Sequence, residues 1–319
     1  MQTERLTDEE TLFLEKQLSR CAMCPRRCGV NRFRGEVGRC GESLVMRAGL
    51  AWLHRWEEPC LTGEKGSGAV FFSGCSLGCR FCQNYEISAA EHRGTEVSVA
   101  RLSQIFLEQQ ERGAANINLV TGAHYIPQIA AALRRAKRAG LEIPVVWNSS
   151  GYELPSALKL LEGLVDIWLP DFKFMDPELA DTCAGAPDYP DAAMAAIGEM
   201  VRQNRLKENR PFAVFDEKGI MRSGVIVRVL LLPGHVSDAK RILAYLYRTY
   251  GDSVFISIMN QYTPMPAVRD DPVLGRRVTG REYGRLLQHA YDLGISQGFI
   301  QEGGAAEESF VPAFDGTGL

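Results

Sequence analysis

The chain has 319 residues, a formal net charge of −3 and a hydrophobic share of 45%. That length can bury a sizeable core, as one large domain or a barrel with a small appendage, and the near-balanced charge gives no electrostatic case for a nucleic-acid or membrane-surface partner. No run approaches the about 18 uninterrupted apolar residues of a membrane-spanning helix, and the polar start Met1-Gln2-Thr3-Glu4-Arg5 does not read as a signal peptide, so a cytoplasmic location is the expectation.

In chain order, Thr7 is placed to cap a short helix that runs to about Leu18. Cys21, Cys24, Cys28 and Cys40 follow at C-x2-C-x3-C-x11-C on glycine-containing loops. Four thiolates at such spacings suit either a structural zinc ribbon or an auxiliary iron-sulfur cluster. Residues 44–50 and 51–56 read as two short strands, and 63–68 as a loop. Seven of the nine cysteines fall in two tight groups, which in a reducing compartment favours metal over disulfides. Cys60 and Cys183 stand apart and read as packed or exposed thiols.

From Ala69 onward, apolar β-branched runs alternate with helical patterns, the signature of βα units on a parallel sheet. Strands are expected over 69–74, 116–121, 144–149, 166–171, 225–232 and 254–260. Helices are expected over 99–112, 126–139, 155–164, 191–204, 238–250 and 281–293. Residues 211–221, with a turn at Asp216-Glu217-Lys218-Gly219, read as a hairpin insert. The tail after Gln301 is expected to be mobile. The chain thus divides into a cysteine-rich segment (1–65), an α/β core (66–301) and a tail (302–319).

The most informative stretch is Ser73-Gly74-Cys75-Ser76-Leu77-Gly78-Cys79-Arg80-Phe81-Cys82-Gln83-Asn84. Three cysteines at C-x3-C-x2-C, just after an apolar strand, can turn their sulfurs to one centre and leave one ligand position unfilled. That suits a [4Fe-4S] cluster whose fourth iron takes something other than protein; a zinc knuckle or unpaired buried cysteines are the alternatives. The spacing, with Phe81 just before the last cysteine, resembles the signature of the radical S-adenosylmethionine (SAM) superfamily. The resemblance implies a partial (β/α)6 barrel with its chemistry at the C-terminal ends of the strands. It also implies that the amino and carboxylate groups of SAM bind the open iron, and that an electron from the cluster breaks a sulfonium S–C bond to give a 5′-deoxyadenosyl radical. Further segments, Cys24-Pro25-Arg26-Arg27-Cys28-Gly29-Val30-Asn31-Arg32, Glu57-Glu58-Pro59 and Gly66-Ser67-Gly68, resemble iron-sulfur proteins described as like pyruvate formate-lyase activating enzyme.

The strand ends supply the polar groups a cofactor needs. Thr121 and Gly122 stand where many radical SAM proteins have Gly-Gly-Glu, absent here, and can present backbone at close range. His124 reads as a substrate-side proton donor or as a group that holds its loop. Asn148, Ser149 and Ser150 resemble the segment lining the SAM pocket of the activating enzymes, with a helix-capping role as the alternative for the serines. Asp171 and Lys173 share a strand face and resemble an Asp-x-Lys element, which implies a carboxylate near the SAM carboxylate; a plain ion pair is the alternative. Arg228, a lone charge in an apolar strand, needs a partner, either Asp171 or the SAM carboxylate. Phe81 is expected to pack on the adenine or to fill the core, and Met259-Asn260-Gln261-Tyr262 to shape the adenosine or substrate side.

Three functional readings follow. The first is a radical SAM enzyme acting on a glycine in a partner glycyl-radical enzyme; the second is one acting on a small molecule or another macromolecule. The third is a non-catalytic iron-sulfur or zinc protein. The resemblance implies an electron donor such as flavodoxin or ferredoxin.

Overall fold

The computed structural model describes residues 6–88, 94–206, 212–301 and 312–319. Its elements in order are α1 (Asp8–Leu18), β1 (Met46–His54), α2 (Pro59–Thr62), β2 (Ser67–Phe72), α3 (Tyr85–Ser88), β3 (Thr95–Val97), α4 (Val99–Glu111), β4 (Ile117–Val120), α5 (Ile126–Arg138), β5 (Val145–Ser149), α6 (Pro155–Leu158), β6 (Ile167–Pro170), α7 (Pro177–Ala184), α8 (Tyr189–Arg205), β7 (Val214–Phe215), β8 (Met221–Leu230), α9 (Val236–Tyr250), β9 (Phe255–Met259), α10 (Gly280–Leu293) and β10 (Gly298–Ile300).

Helix α1 begins at Thr7, whose hydroxyl accepts from the Glu10 amide at 3.2 Å while the Glu10 carboxylate takes the Thr7 amide at 2.8 Å. Reciprocal capping of this kind satisfies two donors that a helix start leaves open. Glu10 also pairs with Arg135, tying α1 to α5.

The sheet order is β10-β9-β8-β6-β5-β4-β2-β1-β3. Strands β2, β4, β5, β6, β8, β9 and β10 run parallel. Every residue of β4, β5 and β6 is buried, as parallel strands covered on both faces require. Among the described residues the pairing path ends at β10 on one side and at β1 and β3 on the other, so the fold is an α/β partial barrel with an open side.

All six expected core strands form, as do five of the six expected helices at close to full length, with four differences. Residues 44–56 give one strand, β1, which continues through a bulge between Ala48 and Leu50 and pairs antiparallel with both β2 and β3. A seventh parallel strand, β10, lies beside β9. The helix expected over 155–164 is one turn, α6, followed by a 3-10 turn at Lys159–Leu161. Helix α7 was not expected, although Asp176 caps it, Pro177 opens it and left-handed Gly185 ends it. The hairpin insert is the β7–β8 pair, with the Asp216 carboxylate accepting from the amides of Lys218 and Ile220; Pro211 lies outside the described residues.

The tail also differs from expectation where it is described. The Ala51 amide donates to the Thr317 carbonyl at 3.0 Å and the Gly316 amide to Gly49 at 2.9 Å, and Phe314 packs edge-on against Phe71. Residues 312–319 are therefore bound along β1, while 302–311 lie outside the described residues. Among the described residues no helix is long and apolar enough to cross a membrane.

Candidate active site at the barrel mouth

Strand β2 delivers the three-cysteine loop to the mouth of the barrel. The loop is folded by its own backbone, with the Gly74 amide on the Ile87 carbonyl at 2.8 Å and Cys82 on Cys79 at 3.1 Å. Cys75, Cys79 and Cys82 all line a cavity of about 400 Å³. Its other walls come from the ends of successive strands: Thr121 after β4, Asn148 to Ser150 at β5, Asp171 and Lys173 after β6, and Arg228 on β8. Phe81 lines it too, but is buried and packs against Phe174 and Tyr262.

Burial pushes the Cys75 and Cys79 thiols upward and each is raised further by Cys82, while Lys173 pulls both back. The three thiols thus share one field, and a positive centre between them would favour their thiolate forms. Three thiols facing one cavity fit the donor set of an iron-sulfur cluster.

Lining the same cavity as the thiols is a half-buried ionic network. Arg228 Nε donates to Asp171 Oδ1 at 2.8 Å, and Lys173 Nζ to the other carboxylate oxygen at 2.6 Å. Arg228 also donates to Asn148 Oδ1 and reaches Glu57 Oε2 at 3.4 Å, and Asn118 donates to Glu57 Oε1 at 2.9 Å. Burial alone would raise Asp171, but Arg228 and Lys173 outweigh it and hold the carboxyl below its ordinary value. Glu57 and Glu58, by contrast, are raised, because burial outweighs Arg228 in both. Arg228 therefore has the Asp171 partner expected of it, and a second acid, Glu57, that was not expected.

The backbone around the network is held as firmly. Thr121 adopts a positive φ of 61°, which is uncommon for a residue other than glycine, and its amide donates to the Asn148 carbonyl at 2.9 Å. The buried Tyr189 hydroxyl accepts from the Lys173 amide and lies 2.8 Å from the Ser150 carbonyl, which joins the ends of β5 and β6. Ser149 Oγ accepts from the Gly151 amide, so it caps a turn rather than a helix. Behind it the Glu153 carboxyl is pushed up to about 7 by burial, with Ser149 and Trp147 opposing.

The structure departs from expectation at Gly122 and decides between the alternatives for His124 and Cys183. Gly122 does not line the cavity; a Cβ there would meet Ile129 at 2.7 Å and Trp147 at 3.1 Å, so this glycine serves close packing behind the strand. His124 is buried, with Nε2 2.7 Å from the Ser73 carbonyl, and holds its loop rather than facing the cavity. Cys183 is not remote in space: its carbonyl accepts from the Arg80 amide at 2.9 Å, inside the three-cysteine loop. Cys60 is buried on α2 and its thiol is pushed up to about 12 by burial.

The leader packs directly on this loop. Cys24 is pushed up to about 12 by burial, with Cys40, Cys21 and Cys28 each adding, so the four leader thiols lie within one another's fields. Arg26 donates to the Ser76, Leu77, Ala184 and Gly185 carbonyls and sits over the Tyr152 ring. A Cβ on Gly74 would meet the Cys40 carbonyl at 2.9 Å and Glu42 at 2.6 Å. Buried Arg32 donates to the carbonyls of His124 and Ser43. None of these arginines was singled out from sequence, because each acts through distant backbone carbonyls.

Residues 69–207 match the sequence model of the Radical SAM superfamily. That family implies a [4Fe-4S] cluster and SAM. The chain is 29% identical over 279 residues to "Uncharacterized protein MJ0674" of Methanocaldococcus jannaschii, covering 85% of this chain and 74% of that protein. Among solved structures it is similar to native anSMEcpe with bound AdoMet, at 12% identity and a TM-score of 0.48, over 72% of this chain and 61% of that one. It is also similar to HydG, a maturase of the [FeFe]-hydrogenase, at 12% identity and 0.49, over 74% and 52%. The chain thus spans less than two thirds of each of these two solved chains.

Proposed function

We propose that this protein is a radical SAM enzyme in which Cys75, Cys79 and Cys82 hold a [4Fe-4S] cluster. The observation that carries the reading is the convergence of these three thiols with Asn148, Ser149, Ser150, Asp171, Lys173 and Arg228 on one cavity. When bound, the cluster supplies one electron to SAM, which is cleaved to methionine and a radical that takes hydrogen from a substrate. The chain's own groups do the positioning. Asp171 and Lys173 give a carboxylate and an ammonium on the cavity wall, matched in charge to an amino-acid zwitterion, with Arg228 oriented by Asn148 and Glu57. Thr121 and Ser150 offer backbone and hydroxyl groups beside them, and Phe81 offers an aromatic edge. Reconstituted protein incubated with dithionite and SAM is expected to release 5′-deoxyadenosine; none above the protein-free background would sink the reading.

The substrate reading is a glycine in a partner glycyl-radical enzyme, resting on the activating-enzyme-like segments around Cys24 to Arg32 and Glu57 to Pro59. A second reading, a small molecule or other macromolecule, is favoured by the missing Gly-Gly-Glu and by the acids Glu57 and Glu58 on the cavity wall. A glycyl radical seen by electron paramagnetic resonance only with a candidate partner present would choose the first. Flavodoxin or ferredoxin is the electron donor of the proposal, and the cytoplasm its location. Cys21, Cys24, Cys28 and Cys40 bind zinc or a second iron-sulfur cluster in this proposal. Metal and sulfide analysis of the Cys21→Ala, Cys24→Ala double variant decides which: zinc lost with iron unchanged, or iron and sulfide lost together by about half. Neither change would leave the leader without a metal role.

A further inference from the structure

The open side of the barrel holds a feature that SAM binding at the strand ends does not use. Asp171, Arg228, Ser257 and Phe299 lie side by side across the sheet, since Arg228 pairs in register with Ser257 and bridges to Asp171, and Ser257 pairs with Phe299. Against this layer sits Glu58, from the turn between β1 and α2, 8% exposed and lining the cavity. Ser257 serves Glu58 as a hydrogen-bond donor and Arg228 acts on it through space. Its Oε2 is buried and has no hydrogen-bond partner among the described residues. A buried carboxylate oxygen with nothing to accept from is costly unless a ligand supplies the donor.

The rest of the lining says which donor. The charged side chains on the cavity are the acids Glu57, Glu58 and Asp171 against the bases Lys173 and Arg228. Both bases already serve Asp171, and Arg228 also reaches Glu57; Glu58 feels Arg228 through space, but its Oε2 has no hydrogen-bonded cation among the described residues. The cavity wall also carries the rings of Trp56, Phe71 and Phe299, and aromatic faces attract a cation. His54, also on this wall, is held toward its neutral form by burial and by Arg228, so it adds no competing positive charge.

We infer that Glu58, backed by Ser257 on a cavity that Trp56, Phe71 and Phe299 also line, forms a subsite for an alkylammonium group of the substrate. This deepens the proposed function and rests on it: the amine anchors the substrate at the open side while the reacting carbon faces the thiol loop.

The test measures binding of two probes to the reconstituted holoprotein by ligand-observed NMR. n-Butylammonium carries the charge and n-butanol is its neutral counterpart. On unaltered protein the ammonium is expected to bind at least about tenfold more tightly, as one charge-assisted hydrogen bond of ordinary strength gives, and Glu58→Gln is expected to abolish the difference. Nα-acetyl-lysine methylamide in a third arm separates the sources of the group, since a peptide-borne amine binds tighter than butylammonium and a free amine does not. Equal affinity for ammonium and alcohol on unaltered protein, or a preference that survives Glu58→Gln, overturns the inference. The unaltered protein decides even if the variant does not fold. Release of 5′-deoxyadenosine is read separately, so a failed subsite and a failed SAM reading give different results.

Discussion

Replacing Arg228 with methionine should cost about 3 kcal/mol of folding stability, read as a lowered midpoint in urea unfolding. The guanidinium is hydrogen-bonded to Asp171 and Asn148 and lies 3.4 Å from Glu57, with only 13% of its side chain exposed. Methionine fills similar space but leaves two largely enclosed carboxylates, Asp171 and Glu57, without Arg228, which is the expensive way to break such a pair. The cost depends on pH in a definite direction. The folded Asp171 is held below its ordinary value, so its contribution is complete above the unfolded carboxyl's pKa of about 4 and is lost as pH falls through the lower folded value. The gap between native and variant should therefore be full at neutral pH and narrow below about pH 4. An unchanged midpoint at pH 7 would mean that Asp171 and Glu57 find other partners.

A larger effect on chemistry is expected at the thiol loop. Single replacement of Cys75, Cys79 or Cys82 by alanine should lower SAM cleavage by at least about a thousandfold, equivalent to about 4 kcal/mol in the barrier, with loss of bound iron and sulfide. The matched control is Cys60→Ala. That thiol is buried on α2 and does not line the cavity, so its removal should spare both iron content and cleavage. A loop variant that kept full activity would mean that the thiols facing the cavity are not the donors.

Much of this arrangement could be read from the chain because its signals are local. The C-x3-C-x2-C loop, the buried runs of β4, β5 and β6, and the Thr7 to Glu10 cap each lie within about a dozen residues. Asp171 and Lys173, expected on one strand face, do meet at 2.6 Å, although β6 ends at Pro170 and both residues follow it. What escaped depends on long-range approach. Glu57 became a network member only when the turn after β1 entered the barrel beside Asn118 and Arg228. Arg26 reaches carbonyls about 50 and 158 residues away. Gly122 looked like a cofactor glycine because it follows a strand, but only the packed structure reveals Trp147 against it. Strand β10 is three residues long and opens on glycine, too short to carry a period. Helix α7 is the exception, since its Asp-Pro start and glycine stop were legible and were overlooked.

The account stands on an iron beside Cys75, Cys79 and Cys82 that has a coordination position free for a small molecule. Electron-nuclear double resonance on reduced, reconstituted protein, with SAM carrying 15N in its amino group and 17O in its carboxylate, observes that position directly. Hyperfine coupling from both labels to the cluster is the expected result. A cluster spectrum that stays free of either label at saturating SAM would contradict it.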